Sequence, residues 1–300
     1  MIPLPTDQNQ DEIKRAEVES LASLLEDPDH FVHEEAKNRL LKLGTRAIPL
    51  LNEYKCNLDE CSLKQQIEGI IREINIGCVE QEFIHHLENG ISTIEDLEKG
   101  IFILAKLDCP TLQTEEYTSF LDSIAERIKP KIQQVSTEQA CRITLAHIFK
   151  TEKFQPTNKD YFAPANSYFN RVLKRRRGIP ISLAMVVLFV GRRLNLPFNG
   201  VNMPMHFLVS FMPEDAAEPT YIDPFNDGAE VCLEQCIYFL KKCGIRPAKN
   251  HFAPASPVEM LARTLRNLIN SYEKRQDPFK TKEFKRLLDL VETSQRSFKF

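Results

Sequence analysis

Membrane-spanning segments are missing from this chain of 300 residues, in which no window reaches the ~18 uninterrupted apolar residues that a span requires. Its opening, MIPLPTDQNQDE, lacks the cationic start and apolar stretch of an export signal. A cytoplasmic protein without membrane contact is therefore expected. A dominant charge is missing as well: Lys and Arg number 39, Asp and Glu 42, and the formal net charge of -3 hides no long acidic tail. The only sharp basic run is KRRR at 174–177, too little for a nucleic-acid surface, so no nucleic acid is expected as a partner. The eight cysteines (Cys56, Cys61, Cys78, Cys109, Cys141, Cys232, Cys236, Cys243) include no pair of CxxC units, which excludes a zinc ribbon and a disulfide framework. Cys232, Cys236 and Cys243 have no histidine near them in sequence until His251, so they do not assemble the nitrogen and sulfur ligands of a zinc site. Mostly buried, reduced thiols are expected, with no metal and no cofactor.

What is present is an ordinary globular composition, 42% hydrophobic and 27% charged, in a chain long enough for about two domains. In VESLASLLEDPDHFVHEEAKNRLLKLGTRAIPLLNEY, apolar residues recur three and four apart (Leu21, Leu24, Leu25; Val32, Ala36, Leu40, Leu43). Asp27-Pro28-Asp29 breaks the first helix and caps the second, Gly44 ends the second, and a third begins near Arg46. This order, with Val32, Ala36 and Gly44 in place and Ala-Ile-Pro following, resembles a HEAT repeat. Three amphipathic helices without repeat ancestry are the alternative. A lone repeat must bury its apolar face against the helices that follow, SLKQQIEGIIREI and VEQEFIHHLENG.

From ISTIEDLEKGIFILAKLDCP the chain predicts two more amphipathic helices, and TEQACRITLAHIFK another. KFQPTNKDYFAPANSYFN has no helical period and reads as ordered loop, in which Phe154, Tyr161, Phe162, Tyr168 and Phe169 are expected to be buried. A helix over 181–194 follows. Short β-type runs in FNGVNMPMHFLVSFM and TYIDPF then predict a small antiparallel sheet. PVEMLARTLRNLINSYEKRQ and FKTKEFKRLLDLVETS return to helical period as a hairpin turned at Asp277-Pro278. The expected class is α+β, predominantly helical: HEAT-like helices over 1–94, a helix-plus-sheet core over 95–255, and a C-terminal, tetratricopeptide-like helical hairpin over 256–300.

Three polar residues stand in settings that can carry chemistry: Ser182 in the first turn of an apolar helix, His206 inside the strand MHFLVSF, and Asp223 ending the strand TYIDPF. A helix N-terminus points unpaired N–H groups outward and favours developing negative charge. A nucleophile there gains an oxyanion site, a histidine on a neighbouring strand can act as base, and a carboxylate on the next can fix its tautomer. Each residue also has a plain structural reading. Serine commonly satisfies backbone donors at helix starts, a histidine in an apolar strand is commonly a hydrogen-bonded core residue, and Asp before Pro is commonly a turn residue.

The block NSYFNRVLKRRRGIPISLAMVVLFVGRRLNLPFNGVNMPMHFLVSF…TYIDPFNDG resembles the SirB family of the transglutaminase-like superfamily, whose core is a papain-like fold. ILAKLDCP…YTSFLDSIAERI and MLARTLRNLINSYEKR are similar to that family's flanking helices. The likeness covers about residues 95–275 and is most specific over 166–228. It implies a nucleophile at a helix start, a base on the next strand and a carboxylate on the one after, in the order Ser182, His206, Asp223. It further implies a side-chain amide as a second oxyanion donor, for which Asn166 and Asn170 are the candidates. The sequence departs from transglutaminases and their protease relatives by carrying serine in place of cysteine, as the SirB-like branch generally does. A thiol of pKa about 8.5 forms a thiolate beside imidazolium, whereas a hydroxyl must lose its proton during attack. Conventional transglutaminase or cysteine-protease activity is therefore not expected.

Around this constellation, Gly178 and Pro180 let the chain turn and start a helix with a preset φ, and Pro204 and Pro224 flank the histidine and carboxylate. Arg175, Arg176 and Arg177 form either a solvated collar or a grip on an acidic partner. Two functions fit: a transglutaminase-like domain kept as a protein- or peptide-binding module, or a serine-dependent amide or ester hydrolase or acyltransferase using Ser182, His206 and Asp223. A purely structural helical-repeat protein is the third. A protein or peptide partner is expected; oligomeric state is not legible.

Overall fold

Apolar residues spaced three and four apart build the first helices of the computed structural model, which describes residues 15–59, 61–157, 159–214 and 216–297. Helix α1 (Arg15–Ser23) runs into one 3-10 turn, and α2 (His30–Leu43) starts where the Asp29 carboxylate accepts the Phe31 N–H at 2.9 Å. Gly44, at φ 65°, ends α2 in a conformation that disfavours a side chain. Helix α3 (Ala47–Cys56) follows. With the first part of α4 (Cys61–Glu88) these helices enclose Val18, Leu25, Leu40, Leu51, Ile67 and Ile74.

The expected break between SLKQQIEGIIREI and VEQEFIHHLENG does not occur, and α4 passes through Gly77 without interruption. Glycine in a helix interior costs about 1 kcal/mol relative to alanine. Burying a single Ile or Val side chain stabilises by roughly 1.5 kcal/mol or more. The buried series Leu63, Ile67, Ile70, Ile74, Val79, Phe83 and Leu87 therefore outweighs the glycine. The chain divides inside this helix into two compact units, one ending at Glu82 and the other beginning at Phe83, whereas the sequence suggests a boundary near 94.

In the second unit α5 (Ile94–Ala105) opens with a reciprocal cap. Thr93 Oγ1 accepts the Asp96 N–H at 3.1 Å, and Asp96 accepts the Thr93 N–H at 2.9 Å. Helices α6 (Thr114–Ile132) and α7 (Thr137–Ala146) follow, the latter ending in one π-type turn. A two-residue strand, β1 (Gln155–Pro156), α8 (Phe169–Arg175) and β2 (Arg177–Gly178) come next, β1 and β2 pairing in parallel. Helix α9 (Pro180–Arg193) is buried from Pro180 to Gly191, as a helix apolar on every side must be. It packs against α5, α6, α8 and the main sheet. Its terminal Arg193 donates to both oxygens of the buried Glu98 carboxylate, at 2.8 Å each, which supplies the counter-charge that a buried carboxylate requires.

The main sheet is an antiparallel meander of β3 (Asn199–Val201), β4 (Leu208–Phe211), β5 (Thr220–Asp223) and β6 (Ala229–Val231) in that order, with Val209 opposite Ile222. Helix α10 (Leu233–Lys242) follows, then the hairpin of α11 (Pro257–Lys274) and α12 (Pro278–Ser297). The protein is thus α+β and predominantly helical, with a small antiparallel sheet. Helices α8 and α10 are additions to the sequence reading, although Leu233, Cys236, Ile237 and Leu240 carry helical period.

Two expectations about burial are corrected. Phe154, Tyr168 and Phe169 are buried as expected, but Tyr161 and Phe162 are 43% and 40% exposed. Of the eight free cysteines only Cys141 and Cys236 are buried, while Cys56, Cys61, Cys232 and Cys243 are exposed. Burial pushes the Cys141 thiol up to about 12, so it is an inert core group. Among the described residues no helix is long and apolar enough to cross a membrane.

Candidate functional site

Ser182 lies where the sequence puts it, in the first turn of α9, and is 2% exposed. Ile179 is extended (φ -94°, ψ 169°) and Pro180, lacking an N–H, opens the helix. From the third helical position the Ser182 hydroxyl reaches back to accept the Ile179 N–H at 3.0 Å. It donates to the Asn166 carbonyl at 2.8 Å, with the Ile179 carbonyl at 3.1 Å as the other acceptor. A hydroxyl carries a single proton, so this donor is spoken for. A Cβ on Gly178 would stand 2.3 Å from the Ser182 hydroxyl, which makes glycine at 178 a condition of the arrangement.

Asn166 is wholly buried in a 3-10 turn. Its amide nitrogen donates to the carbonyls of Asp160 (2.9 Å) and Tyr161 (3.2 Å), and its amide oxygen accepts from Arg175 at 3.2 Å. The part of Asn166 that meets Ser182 is therefore its backbone carbonyl, and both amide hydrogens hold the 160–161 loop. Asn170, on α8, is 3% exposed and its amide oxygen has no hydrogen-bond partner among the described residues. The basic run is in part a solvated collar, with Lys174 and Arg175 exposed, but its arginines also make internal contacts. Arg175 holds Asn166, Arg176 pairs with the buried Glu152 (3.2 Å) and lies over Phe120 and Phe154, and Arg177 donates to the Pro156 carbonyl at 3.3 Å.

His206 is not inside a strand. It precedes β4 by two residues, after a turn in which Met205 adopts φ 64°, because pairing with β3 begins only at Leu208 opposite Val201. Its N–H donates to the Met203 carbonyl at 3.1 Å. Asp223 ends β5 as expected, and its Oδ1 lies 2.8 Å from His206 Nε2 while accepting the Phe225 N–H at 2.8 Å. Histidine and carboxylate are thus brought together. Among the described residues no hydrogen bond joins His206 to Ser182.

The pair opens instead on a cavity of about 200 Å³ walled by Met203, Leu208, Val231 and Phe239, with Gln235 and Cys236 from α10. Burial pushes the Cys236 thiol up to about 11, and the neighbouring Cys232 and Asp223 add to the effect, so this sulfur stays protonated. Among the described residues no group of three or more His, Cys, Asp or Glu side chains is arranged to hold a metal ion.

Comparison with known proteins gives the chain a family. The transglutaminase-like superfamily matches residues 115–266, which include Asn166, Asn170, Ser182, His206 and Asp223. The chain belongs to the transglutaminase-like superfamily. It is 30% identical over 205 residues to a UPF0162 protein of Xylella fastidiosa, covering 64% of this chain and 72% of the relative. A UPF0162 protein of Vibrio cholerae is 30% identical over 132 residues, 44% of this chain and 48% of that one. F-box only protein 21 of Homo sapiens is 27% identical over 157 residues, 49% of this chain and 25% of that one. No solved structure matches.

Within this transglutaminase-like chain, sequence reasoning missed the groups that surround His206. Phe225 and Phe239 stand 6.4 and 5.9 Å from its ring, and Phe239 and Cys236 come from α10, an element the reading lacked.

Proposed function

We propose that the protein is a non-catalytic module that binds a protein or peptide partner, with the cavity beside His206 and Asp223 receiving a side chain of that partner and Ser182 acting as a structural cap. The observation that carries this reading is the state of Ser182: buried, its proton given to one carbonyl and its lone pair to one backbone N–H. A nucleophile needs its proton directed at a base. The likeness to proteins named F-box only protein 21 supports a protein partner. Descent from the SirB branch and a HEAT-like origin for α1 to α3 belong to the same proposal.

A second reading, a serine hydrolase or acyltransferase, is favoured by the 2.8 Å contact between His206 and Asp223, the base and orienter that such an enzyme needs. One experiment separates the two. The folded protein is treated with a serine-directed fluorophosphonate, and the stability of Ser182→Ala is measured by urea denaturation. Binding without catalysis predicts no label on Ser182 and a loss of about 1–3 kcal/mol, as the Asn166 carbonyl and Ile179 N–H lose their partner. Label at Ser182 that disappears in both Ser182→Ala and His206→Ala, with stability unchanged in the serine variant, overturns it.

A further inference from the structure

We infer that the face around His206 takes an extended acidic peptide segment, which seats one apolar side chain in the cavity and sets a neighbouring carboxylate on Arg263. This deepens the reading above and rests on it. An aromatic ridge crosses the face. Phe162 and Tyr161 are 5.3 Å apart edge to face, Tyr161 and Phe225 6.0 Å, Phe225 and His206 6.4 Å, and His206 and Phe239 5.9 Å. Tyr161, Phe162 and Phe239 are each more than a third exposed, and Met205, on the turn before His206, is 68% exposed. Apolar side chains gathered in one exposed place mark a contact surface. The cavity next to the ridge, at about 200 Å³, falls short of the ~300 Å³ at which small-molecule sites begin and suits a single side chain.

The charge on this face sets the partner's chemistry. Arg263, on α11, is half-buried and among the described residues makes one hydrogen bond, from Nη1 to Asn202 Oδ1 at 3.0 Å, although a guanidinium has five N–H donors. Among the described residues no carboxylate pairs with it. The neighbouring arginines differ, since Arg266 pairs with Glu292 and Arg275 with Asp160. Burial pulls the Arg263 pKa below the ordinary arginine value, Tyr161 opposes that, and Arg266 on the same helix adds to it. A cation desolvated without an anion gains from receiving one. Its position fits the ridge: Asn202 adjoins Met203 of the cavity wall, and Tyr161 is a ridge residue. At the far end Lys274 lies 5.5 Å over Phe162 and adds positive charge.

The test titrates the full chain with two end-blocked, fluorescent peptide pools, one with leucine close in sequence to glutamate, the other with glutamine replacing the glutamate. The glutamate pool is expected to bind about tenfold more tightly. Arg263→Gln should equalise the pools, Arg263→Lys should keep the preference, and Phe239→Ala should weaken both alike, with circular dichroism confirming that each variant is folded. Equal binding of both pools to the unmodified chain, or a preference that survives Arg263→Gln, overturns the acidic assignment and leaves the binding module standing. Failure of both pools to bind removes the two readings together. A dimer in sedimentation that Arg263→Gln dissolves gives the face to a second copy of this chain and overturns the peptide.

Discussion

Ser182 and His206 belong to one core, yet their surroundings are opposite. The polar groups that meet Ser182 are engaged: the hydroxyl with Asn166 and Ile179, the Asn166 amide with the carbonyls of Asp160 and Tyr161, and Arg175 with the Asn166 oxygen. Around His206 apolar rings are left exposed, a cavity stands open, and among the described residues Arg263 has no carboxylate partner. Saturated polar networks rigidify and specify a fold. Unsatisfied groups and exposed rings await something else. Residue type alone points the other way, since serine at a helix start suggests chemistry and phenylalanine suggests core. The difference teaches that the residue type at a position does not tell whether its polar groups are already paired.

The sharpest way to break this contrast is to fill the space that Ser182 needs. Gly178→Ala would place a Cβ 2.3 Å from the Ser182 hydroxyl and 3.2 Å from Val172. Overpacking of this kind costs about 3 kcal/mol at the upper end, read as a lower urea midpoint. In a Ser182→Ala background the clash loses its nearest atom, so the same substitution should cost about 1 kcal/mol less. Additive effects would show that the hydroxyl is not what glycine accommodates. Asn166→Ala comes next. It removes two donated bonds and one accepted bond, and about 2 kcal/mol of stability should go with them, because the freed carbonyls of the exposed residues Asp160 and Tyr161 can turn to water. A neutral outcome would mean that the 160–161 loop is held by other contacts.

Which of these features the sequence discloses follows from their range. The α9 start is local chemistry, with Pro180 and Ser182 inside one helical turn, and it is legible from four or five letters. The pairing of His206 with Asp223 spans a strand connection, so the letters suggest it only through the order of the two strands, an order that the family resemblance also implies. Arg263 gave no signal. A missing counter-ion is a tertiary property, set by α11 lying beside Asn202 with no carboxylate, among the described residues, paired with Arg263. Tyr161 and Phe162 misled because side-chain hydrophobicity forecasts average burial, while a docking face is the exception to that average. The continuity of α4 was hidden for a related reason: Gly77 is a local stop signal that a longer apolar stripe overrides.

The smallest expected effect on stability is the most informative about the exposed side of the comparison. Phe162 touches Tyr161 edge to face and lies under Lys274, and it is 40% exposed. Cation–π contacts at such sites contribute about 0.5–1 kcal/mol, so Phe162→Ala should lower stability by no more than that. If the ridge exists to meet a partner, the same substitution should still weaken the glutamate-containing pool several-fold, since a rigid ring in contact with a bound segment matters more to the complex than to the free protein. A loss of stability near that of Gly178→Ala would instead make Phe162 part of the core, and the two environments would no longer differ in kind. A stable variant with undiminished affinity would confine the contact surface to the stretch between His206 and Phe239, where the cavity lies.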